Sequence, residues 1–490
     1  MSALLPLTIL LSSLIPAVVT FFLSERNVYL RNGLSLGGAV VKLVLLAIML
    51  SEVARGAIYE LRFDLVPGLF LLLRVDDLSL LFVTLSGFLW LLTTIYAIAY
   101  FGKSAHLTRF FGFFSLCVAA TTGIALSGTL ITFFLFYELL TLSTWPLVVH
   151  KGDAKSLRAG RVYLAFTMPG AAALLVAIIW LESAVGPVEF RVAAPLHDLG
   201  DWSLRAIFAL FILGIGVKSA LVPLHGWLPA AMAAPAPVSA LLHAVAVVKA
   251  GAFGIVRIVY DVFGIGLLQQ LTLGLPLAIL ASITIIYGSI RALQQTDIKR
   301  RLAYSTVSQV SYIVLGTALA GPFATIGGLI HLVHQGLMKI TLFFCAGIFA
   351  ERAQITRIDE LDGIGPRMPW TALCFSIGAM GMIGIPPIAG FVSKWYLGIG
   401  ALQAGQHWVI GVLTVSSLLN ALYFLPLLYR IWFRTPSDAA QAAAPREYPV
   451  ALIAPPVLTA IAALATGLLA GSSLSPLSWA TLIVERSYLP

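Results

Sequence analysis

The chain of 490 residues is 60% hydrophobic and only 10% charged, with a mean hydropathy of +0.98 and a formal net charge of +9. Soluble domains carry roughly 25% charged residues, so this composition excludes an ordinary soluble fold. Apolar runs of about 20 residues, long enough to cross a ~30 Å hydrocarbon core as helices, recur along the whole sequence. The runs lack the two-residue alternation of membrane β-strands, so the sequence predicts an all-α polytopic membrane protein.

Charged or Pro/Gly-rich breaks divide the apolar sequence into about fourteen predicted spans, taken here in chain order. They begin near Ala3, Gly33, Leu78, Phe110, Leu130, Val162, Ala206, Val238, Leu273, Leu302, Ala324, Ala372, Trp408 and Val450. The first run has no basic residue ahead of it and exceeds 20 residues. It is therefore interpreted as a retained helix rather than a cleaved signal peptide.

Two spans carry prolines in their middle. The seventh reads GIGVKSALVPLHGWLP and the twelfth reads MGMIGIPPIAGFVSKWY. Proline removes a backbone donor, so both are predicted to be broken helices. The breaks are five spans apart, and an odd number of helices per unit makes two copies inverted. The predicted divisions are spans 1–3 (1–107), a first five-helix repeat (108–263), an inverted second repeat (264–434), and span 14 with the tail (435–490).

Basic residues are distributed unevenly between the loops. The loops that follow odd-numbered spans define one face of the molecule, here called the odd face, and the loops that follow even-numbered spans define the even face. The odd-face loops hold 18 Lys and Arg, including Lys103 and Arg446. The even-face loops and the C-terminal tail together hold 6. The positive-inside rule then predicts that the odd face is cytoplasmic and that both termini lie outside. The net positive charge is thus a topology signal rather than a sign of nucleic-acid binding.

Ionisable residues inside spans are costly, at roughly 2.5 to 3.5 kcal/mol on insertion scales, and are functional by default. Glu138, in LITFFLFYELLTLSTWP, is the only acid in the middle of a predicted span. Lys218 lies five residues before Pro223, where the helix is about to break. We predict a Glu138–Lys218 pair that passes a proton on when its members separate, the alternative being a packing ion pair.

Further along the chain, ionisable residues recur in apolar runs. Lys249 follows His243 by six residues, close to two helical turns, and Lys394 lies seven residues beyond Pro387. His331, His334 and Lys339 share one run, HLVHQGLMKITLFF. The pattern favours a proton relay over simple packing. Lys42, in GGAVVKLVLLAIML, has no acid nearby in the sequence, so it is expected either to snorkel or to meet another subunit.

No cofactor or metal site is predicted from motifs. Cys117, Cys345 and Cys374 lie in separate apolar runs without a C-x-x-C spacing, and neither a G-x-G-x-x-G nor a G-x-x-x-x-G-K-[ST] motif occurs in the sequence. We therefore expect no cofactor, no metal ion and no nucleic acid. The chain is not expected to perform redox chemistry itself.

Five stretches, in this order, resemble the antiporter-like membrane subunits of respiratory complex I, Mrp-type cation/proton antiporters and membrane-bound hydrogenases. They read FLFYELLTLSTWPLV, GVKSALVPLHGWLPAAMAAPAPVSALLHAVAVVKAG, DIKRRLAYSTVSQVSY, HLVHQGLMKITLFFCAG and GIPPIAGFVSKWY. The resemblance implies a fourteen-helix core with two inverted repeats, broken helices 7 and 12, and a charged axis at the membrane midplane. In that axis Glu138, Lys218, Lys249 and Lys394 match the main positions, and His243, His331, His334 and Lys339 match the connecting ones.

Within the family, the chain most resembles the D-type member of Mrp antiporters and its hydrogenase-associated relatives. This resemblance implies a proton-translocating subunit of a multisubunit monovalent cation/proton antiporter in a prokaryotic inner membrane, with other membrane subunits as partners and protons, with Na⁺ or K⁺, as the transported ions. The alternative is a proton-pumping subunit of a redox complex, either NADH:quinone oxidoreductase or a membrane-bound hydrogenase, with electron transfer on partner subunits. A standalone transporter or a scaffold is a third reading that the five ordered motifs disfavour.

Overall fold

The computed structural model describes residues 4–102, 104–192, 196, 199–435 and 449–488. Lys103, Arg446, the predicted span start at Ala3 and most of the predicted tail division before Pro449 lie outside these ranges. In the described ranges, eleven helices are long and apolar enough to cross a membrane. Together with the shorter first helix and two broken spans, they form the fourteen spans that the sequence predicts. The all-α fold class is confirmed.

The first six spans are continuous helices, and a β-hairpin connects α2 to α3. Their bounds are α1 Leu5–Phe21, α2 Val28–Ala54, α3 Asp77–Phe101, α4 Leu107–Ala125, α5 Leu130–Val148 and α6 Ala154–Val185, with the antiparallel strands β1 Tyr59–Val66 and β2 Leu69–Val75. Capping residues start several of these helices, because Asp76, Thr129 and Asp153 accept hydrogen bonds from backbone N–H groups of the first turns.

Span 7 is broken and span 8 is irregular. Span 7 consists of α7 (Asp201–Lys218) and the short α8 (Trp227–Ala230). Span 8 runs through α9 Ala236–Ala240, a π-helical segment Leu241–Val245, α10 Val247–Arg257, a second π-helical segment Ile258–Phe263 and α11 Gly264–Gln270. Wide π turns inside a helix are frequent at functional sites.

The second half repeats the pattern of long helices around one break. Its helices are α12 Gly274–Leu293, α13 Ile298–Leu319, α14 Pro322–Ala353, α15 Pro369–Ile383, α16 Ala389–Gln403, α17 Trp408–Phe433, α18 Val450–Leu468 and the C-terminal α19 Pro476–Ser487. Helices α15 and α16 are the two parts of broken span 12. The most apolar 18-residue stretches of span 8 and of α14 are buried throughout, whereas α2, α17 and α18 lie at the periphery.

Side chains satisfy the backbone carbonyls that each break sets free. At the first break, the Trp227 indole donates to the Val217 carbonyl at 2.7 Å. At the second, the Asn420 amide donates to the Met382 carbonyl at 3.2 Å, and the Lys394 amine donates to the carbonyls of Met382 and Ile383 at 3.1 and 2.8 Å. Irregular backbone at membrane depth is stable only when its polar groups are satisfied inside the protein.

The loops sort onto two faces as the alternation of spans predicts. On the even face, Arg74 of β2 binds Glu60 of β1 at 2.5 Å and Glu189, after span 6, at 2.6 Å. On the odd face, Lys299 donates to the Ala234 carbonyl at 2.6 Å, which joins the loops after spans 7 and 9. Loops of equal parity therefore contact each other.

The expectation that Lys42 snorkels is wrong. Its side chain is fully buried, and its amine donates to Ser13 of α1 at 2.9 Å and to Thr122 of α4 at 2.6 Å. The indole ring of Trp90 in α3 lies 5.1 Å from the amine. The lysine remains inside because three neighbouring helices supply partners that an apolar membrane surface lacks.

Candidate functional site

The predicted pair of Glu138 and Lys218 lies close together because Lys218 contacts the backbone of α5. The Lys218 amine donates to the carbonyl of Tyr137, the residue before Glu138 in α5, and lies 3.2 Å from the centroid of the Tyr137 ring. Among the described residues, no ion pair joins the Glu138 carboxylate to the Lys218 amine. The Glu138 carboxylate instead accepts a long hydrogen bond of 3.4 Å from Thr141. The two groups are neighbours that are not locked together.

The break of span 7 lies directly against span 8. A Cβ atom on Gly251 of α10 would come within 2.2 Å of the Ser219 backbone nitrogen. Only glycine permits this approach, which places the end of α7, with Lys218, beside the helix that carries Lys249.

Lys249 and His243 both face α14. The fully buried Lys249 amine donates to the Leu332 carbonyl at 2.6 Å. The His243 imidazole stacks on Phe343 with ring centroids 4.4 Å apart, and neither of its nitrogens has a hydrogen-bond partner among the described residues. Span 8 and α14 thus share an interface containing polar groups that packing alone leaves unsatisfied.

The two histidines of α14 face broken span 12. Nδ1 of His331 lies 2.8 Å from the Ser393 hydroxyl, and Ser393 immediately precedes Lys394 in α16. His334 lies beside the backbone of Ala389, the first residue of α16. Both imidazoles are fully buried. They therefore connect the helix against which Lys249 packs to the helix that carries Lys394.

Lys339 begins a chain of hydrogen bonds that ends at the second break. Its amine donates to the Ser305 hydroxyl at 2.6 Å, and this hydroxyl lies 2.8 Å from the Tyr423 hydroxyl. Tyr423 donates to the side-chain carbonyl of Asn420, and the side-chain NH2 of Asn420 donates to the Met382 carbonyl. The Lys394 amine binds that same carbonyl. We call Ser305, Tyr423 and Asn420 the polar bridge.

The sequence did not single out the polar bridge. Ser305 lies in the quoted stretch DIKRRLAYSTVSQVSY, but Tyr423 and Asn420 come from an apolar run, LLNALYFLPLLYR. Isolated hydroxyl or amide residues in a span are common, so only the fold, which brings together residues 118 positions apart, reveals the connection.

The ends of the row reach the sides of the molecule. Lys218, Lys249, Lys339 and the histidines are buried, whereas Glu138 and Lys394 are only partly buried. The row therefore runs from the lateral surface of α5, through the molecule, to the lateral surface of α16.

A second buried charge cluster escaped the sequence reasoning. Arg257, at the end of α10, binds Asp76 at 2.6 Å and Asp261 at 2.5 Å, and all three side chains are buried. The spacing of Arg257 and Asp261 by four residues was the one local signal, whereas Asp76 is 181 positions away. This cluster lies near the even face.

The comparisons with known proteins agree with this architecture. Residues 127–420 match the family model described as NADH:quinone oxidoreductase/Mrp antiporter, TM. The chain belongs to this family. It is 33% identical to NADH-quinone oxidoreductase subunit N of Desulforudis audaxviator over 485 residues, which covers 96% of both chains. It is also 33% identical over 346 residues to hydrogenase-4 component B of Escherichia coli, half of whose length it covers.

Solved structures of the family show the same fold. The chain superposes on one from the Mrp complex of Dietzia with a TM-score of 0.87 at 24% identity, covering 99% and 98% of the two chains. A chain of Thermus thermophilus respiratory complex I gives a TM-score of 0.82 at 21% identity, covering 99% of both. The protein is thus an antiporter-like membrane subunit of the NADH:quinone oxidoreductase/Mrp antiporter family.

Proposed function

We propose that this chain conducts protons along a midmembrane axis formed by the buried ionisable groups described above. The axis comprises Glu138, Lys218, Lys249, His243, His331, His334, Lys339 and Lys394. The carrying observation is that its lysines bind carbonyl and hydroxyl oxygens rather than carboxylates. A structural ion-pair network would supply a counter-ion for each buried cation, because an unpaired charge is costly to bury.

Each partner in the axis suits proton transfer. A lysine that is held by a neutral oxygen can lose its proton without leaving an unpaired carboxylate behind. The proton gradient supplies about 2.3 kcal/mol per charge per 100 mV to drive such exchange. The polar bridge joins Lys339 to Lys394 by hydrogen bonds, in which the Ser305 and Tyr423 hydroxyls can exchange protons and the Asn420 amide orients the Tyr423 hydroxyl.

We further propose that neighbouring membrane subunits cover both ends of the axis. Glu138 lies on α5 between Leu135 and Leu142, whose side chains are 46% and 59% exposed. Near Lys394 on α16, Trp395 is 58% exposed. A carboxylate facing hydrocarbon is costly, so a partner protein is the better neighbour for Glu138.

For the host complex we propose a multisubunit monovalent cation/proton antiporter with this chain as its D-type member, exchanging protons for Na⁺ or K⁺. The match across 98% of a chain in the Mrp complex is consistent with this assignment. The second candidate is a redox-driven proton pump, which the 33% identity to a complete NADH-quinone oxidoreductase subunit N favours. In that case electron transfer belongs to partner subunits.

The proposal includes the arrangement in the membrane. The two inverted repeats would span 108–263 and 264–434, preceded by spans 1–3 (1–107) and followed by span 14 with the tail (435–490). The excess of basic residues would place the odd face in the cytoplasm and both termini outside a prokaryotic inner membrane. Cysteine labelling of each face in intact cells tests this orientation.

The deciding experiment is to purify the native complex through a tag on this chain, identify its subunits and reconstitute it in vesicles. An antiporter host requires proton movement driven by Na⁺ or K⁺, whereas a redox host requires quinone-site, iron–sulfur or nickel–iron partners and movement driven by an electron donor. Glu138→Gln and Lys218→Ala are expected to abolish proton movement in complexes that still assemble. Wild-type rates in both variants would contradict the proposed axis.

A further inference from the structure

The charge cluster near the even face is a hydrogen-bonded network that contains more carboxylates than cations. The Arg257 guanidinium binds both oxygens of Asp76, at 2.6 and 2.9 Å, and one oxygen of Asp261, at 2.5 Å, and it also binds the Ser79 hydroxyl at 2.9 Å. One cation thus serves two carboxylates. The adjacent Asp77 has its own partner, Arg486 of α19, at 3.4 Å. Within the part of the chain that the structure describes, one negative charge of the network is therefore left without a matched cation in direct contact.

A cavity of about 610 Å³ reaches Asp261 from the even face. The described residues that line it include Arg191, Tyr260, Asp261, Gly266, Gln270 and Ser487. All of them follow, or end, even-numbered spans. The volume far exceeds the ~30 Å³ that a water molecule occupies in the liquid, and the polar lining supplies partners for water. Asp261 is the member of the network that lines this cavity, with its side chain 2% exposed.

Span 8 connects this cavity to the midmembrane axis. Lys249, Phe253 and Arg257 of α10 and Asp261 of the π-helical segment that follows it are spaced at intervals of four residues, so each lies about one turn beyond the last and they form a ladder along the span. At the α-helical rise per residue, twelve residues span at most about 18 Å. Half of a ~30 Å hydrocarbon core is about 15 Å, so a midplane Lys249 and an Asp261 at the membrane surface are consistent with this rise.

Phe253 is the only apolar rung of the ladder. Its ring stacks on Phe82 of α3 with centroids 4.8 Å apart, and the Arg257 guanidinium carbon lies 5.0 Å from its ring centroid. The ring therefore lies between the positions of Lys249 and Arg257 on the ladder and contacts the charged network.

We propose that this cavity is the opening through which the axis exchanges protons with water on the even face, with Asp261 as the exchanging carboxylate and Phe253 as the barrier. When Phe253 moves and water enters, the Lys249 ammonium releases a proton to that water, the Asp261 carboxylate takes up a proton from it and releases one to water in the cavity, and uptake is the reverse. Arg257 keeps its charge and orients the carboxylate. The other groups around Asp261 are Asp76, Arg191 and Tyr488.

Thiol modification tests the opening. A cysteine fits at Gly266, in the cavity wall, and at Gly471, in the loop after span 14 on the same face, because a Cβ at either position meets no atom within 4 Å. The native cysteines are buried. We expect a bulky, membrane-impermeant methanethiosulfonate reagent to reduce proton movement by the reconstituted complex about tenfold in Gly266→Cys and to leave Gly471→Cys unchanged. Full labelling of Gly266→Cys, measured by mass, without loss of transport would overturn the proposal.

Asp261→Asn and Asp76→Asn separate an exchanging group from a structural one. Both amides can still accept from Arg257, and an asparagine side chain in place of Asp76 remains a good helix cap for α3. We expect Asp261→Asn to reduce transport about tenfold more than Asp76→Asn, because only Asp261 must carry the proton. Since Asp76 makes more contacts with Arg257, a merely structural network predicts the opposite order, and equal or reversed effects in assembled complexes would contradict the role of Asp261.

Phe253→Ala is expected to raise the passive proton conductance of the vesicles, a change that loss of packing strength alone does not predict. Phe343→Ala, which removes the aromatic neighbour of His243 away from the ladder, is the control. Conductance equal to that of the control would argue against the barrier.

The inference rests on the proposed function, and different results would contradict the inference and the function. A wild-type complex that moves no protons defeats both, whereas a transporting complex that is insensitive to Gly266→Cys modification defeats the opening alone.

Discussion

The polar bridge gives the most specific prediction, which is the effect of Tyr423→Phe. This substitution removes only the hydroxyl that lies between Ser305 and Asn420. The ring is fully buried, and Phe retains it, so no cavity is formed. The change therefore cuts the connection between Lys339 and Lys394 while leaving both lysines in place.

The magnitude follows from the two hydrogen bonds that are lost. A net hydrogen bond is worth about 0.5 to 1.5 kcal/mol, so losing the two that hold the bridge in place should raise the barrier to proton movement near Lys339 and Lys394 by about 1 to 3 kcal/mol. Because about 1.4 kcal/mol corresponds to a factor of ten, the rate should fall between fivefold and roughly a hundredfold. Proton movement by the reconstituted complex, measured with a pH-sensitive dye, gives this rate.

Tyr96→Phe is the matched control for this prediction. The Tyr96 ring is also fully buried, and its hydroxyl donates to the Phe344 carbonyl at 3.0 Å, away from the axis lysines. Both variants lose a buried hydroxyl, so a general loss of stability affects both. If the two assembled variants transport protons at the same rate, the bridge does not carry protons and Ser305, Tyr423 and Asn420 only join helices.

Three further substitutions test other parts of the axis. Lys249→Ala is expected to uncouple the two halves and to abolish the cation- or redox-dependent pH change of the vesicles, and a normal pH change would remove support for the lateral route. Lys394→Glu is expected to retain more transport than Lys394→Ala, with its optimum at lower pH, because only a protonated carboxyl can donate to the carbonyls of Met382 and Ile383. Equal pH–rate profiles of the two variants would contradict a proton-storing role. Lys42→Met is expected to raise the melting temperature of the complex, since it removes a buried charge. Ser13 and Thr122 keep their hydrogen bonds to backbone carbonyls of their own helices. A lower melting temperature would refute this reasoning.

The features that the sequence predicted correctly depend on local chemistry. Proline cannot donate a backbone hydrogen bond, so Pro223 and the Pro386–Pro387 pair located both broken spans. The start of α6 could not be predicted from the apolar pattern. The apolar run begins near Val162, yet the helix begins at Ala154 because Asp153 caps it and its first turns, with Lys155 and Arg158, extend beyond the apolar region.

The contacts of the axis were beyond the reach of the sequence. Charge predicted that Lys218 would meet the Glu138 carboxylate, but the amine binds the carbonyl of the preceding residue, and no side-chain pattern reports a backbone oxygen. Likewise, nothing local linked Arg257 to Asp76. Such contacts depend on how distant helices pack, so the sequence identified the ionisable groups but not their partners. The roles of the eight axis residues stay predictions.

Lys394 is held by two kinds of oxygen, which differ in their capacity to reverse the direction of a hydrogen bond. Its three N–H bonds can reach the carbonyls of Met382 and Ile383 and the Ser417 hydroxyl, which lies 2.9 Å away. Carbonyl oxygens only accept, but a hydroxyl can rotate and donate. When the amine is neutral, two of its hydrogens can stay on the carbonyls while Ser417 turns its own hydrogen toward the nitrogen lone pair. Loading and unloading a proton at this position therefore requires the rotation of one hydroxyl and no displacement of a helix.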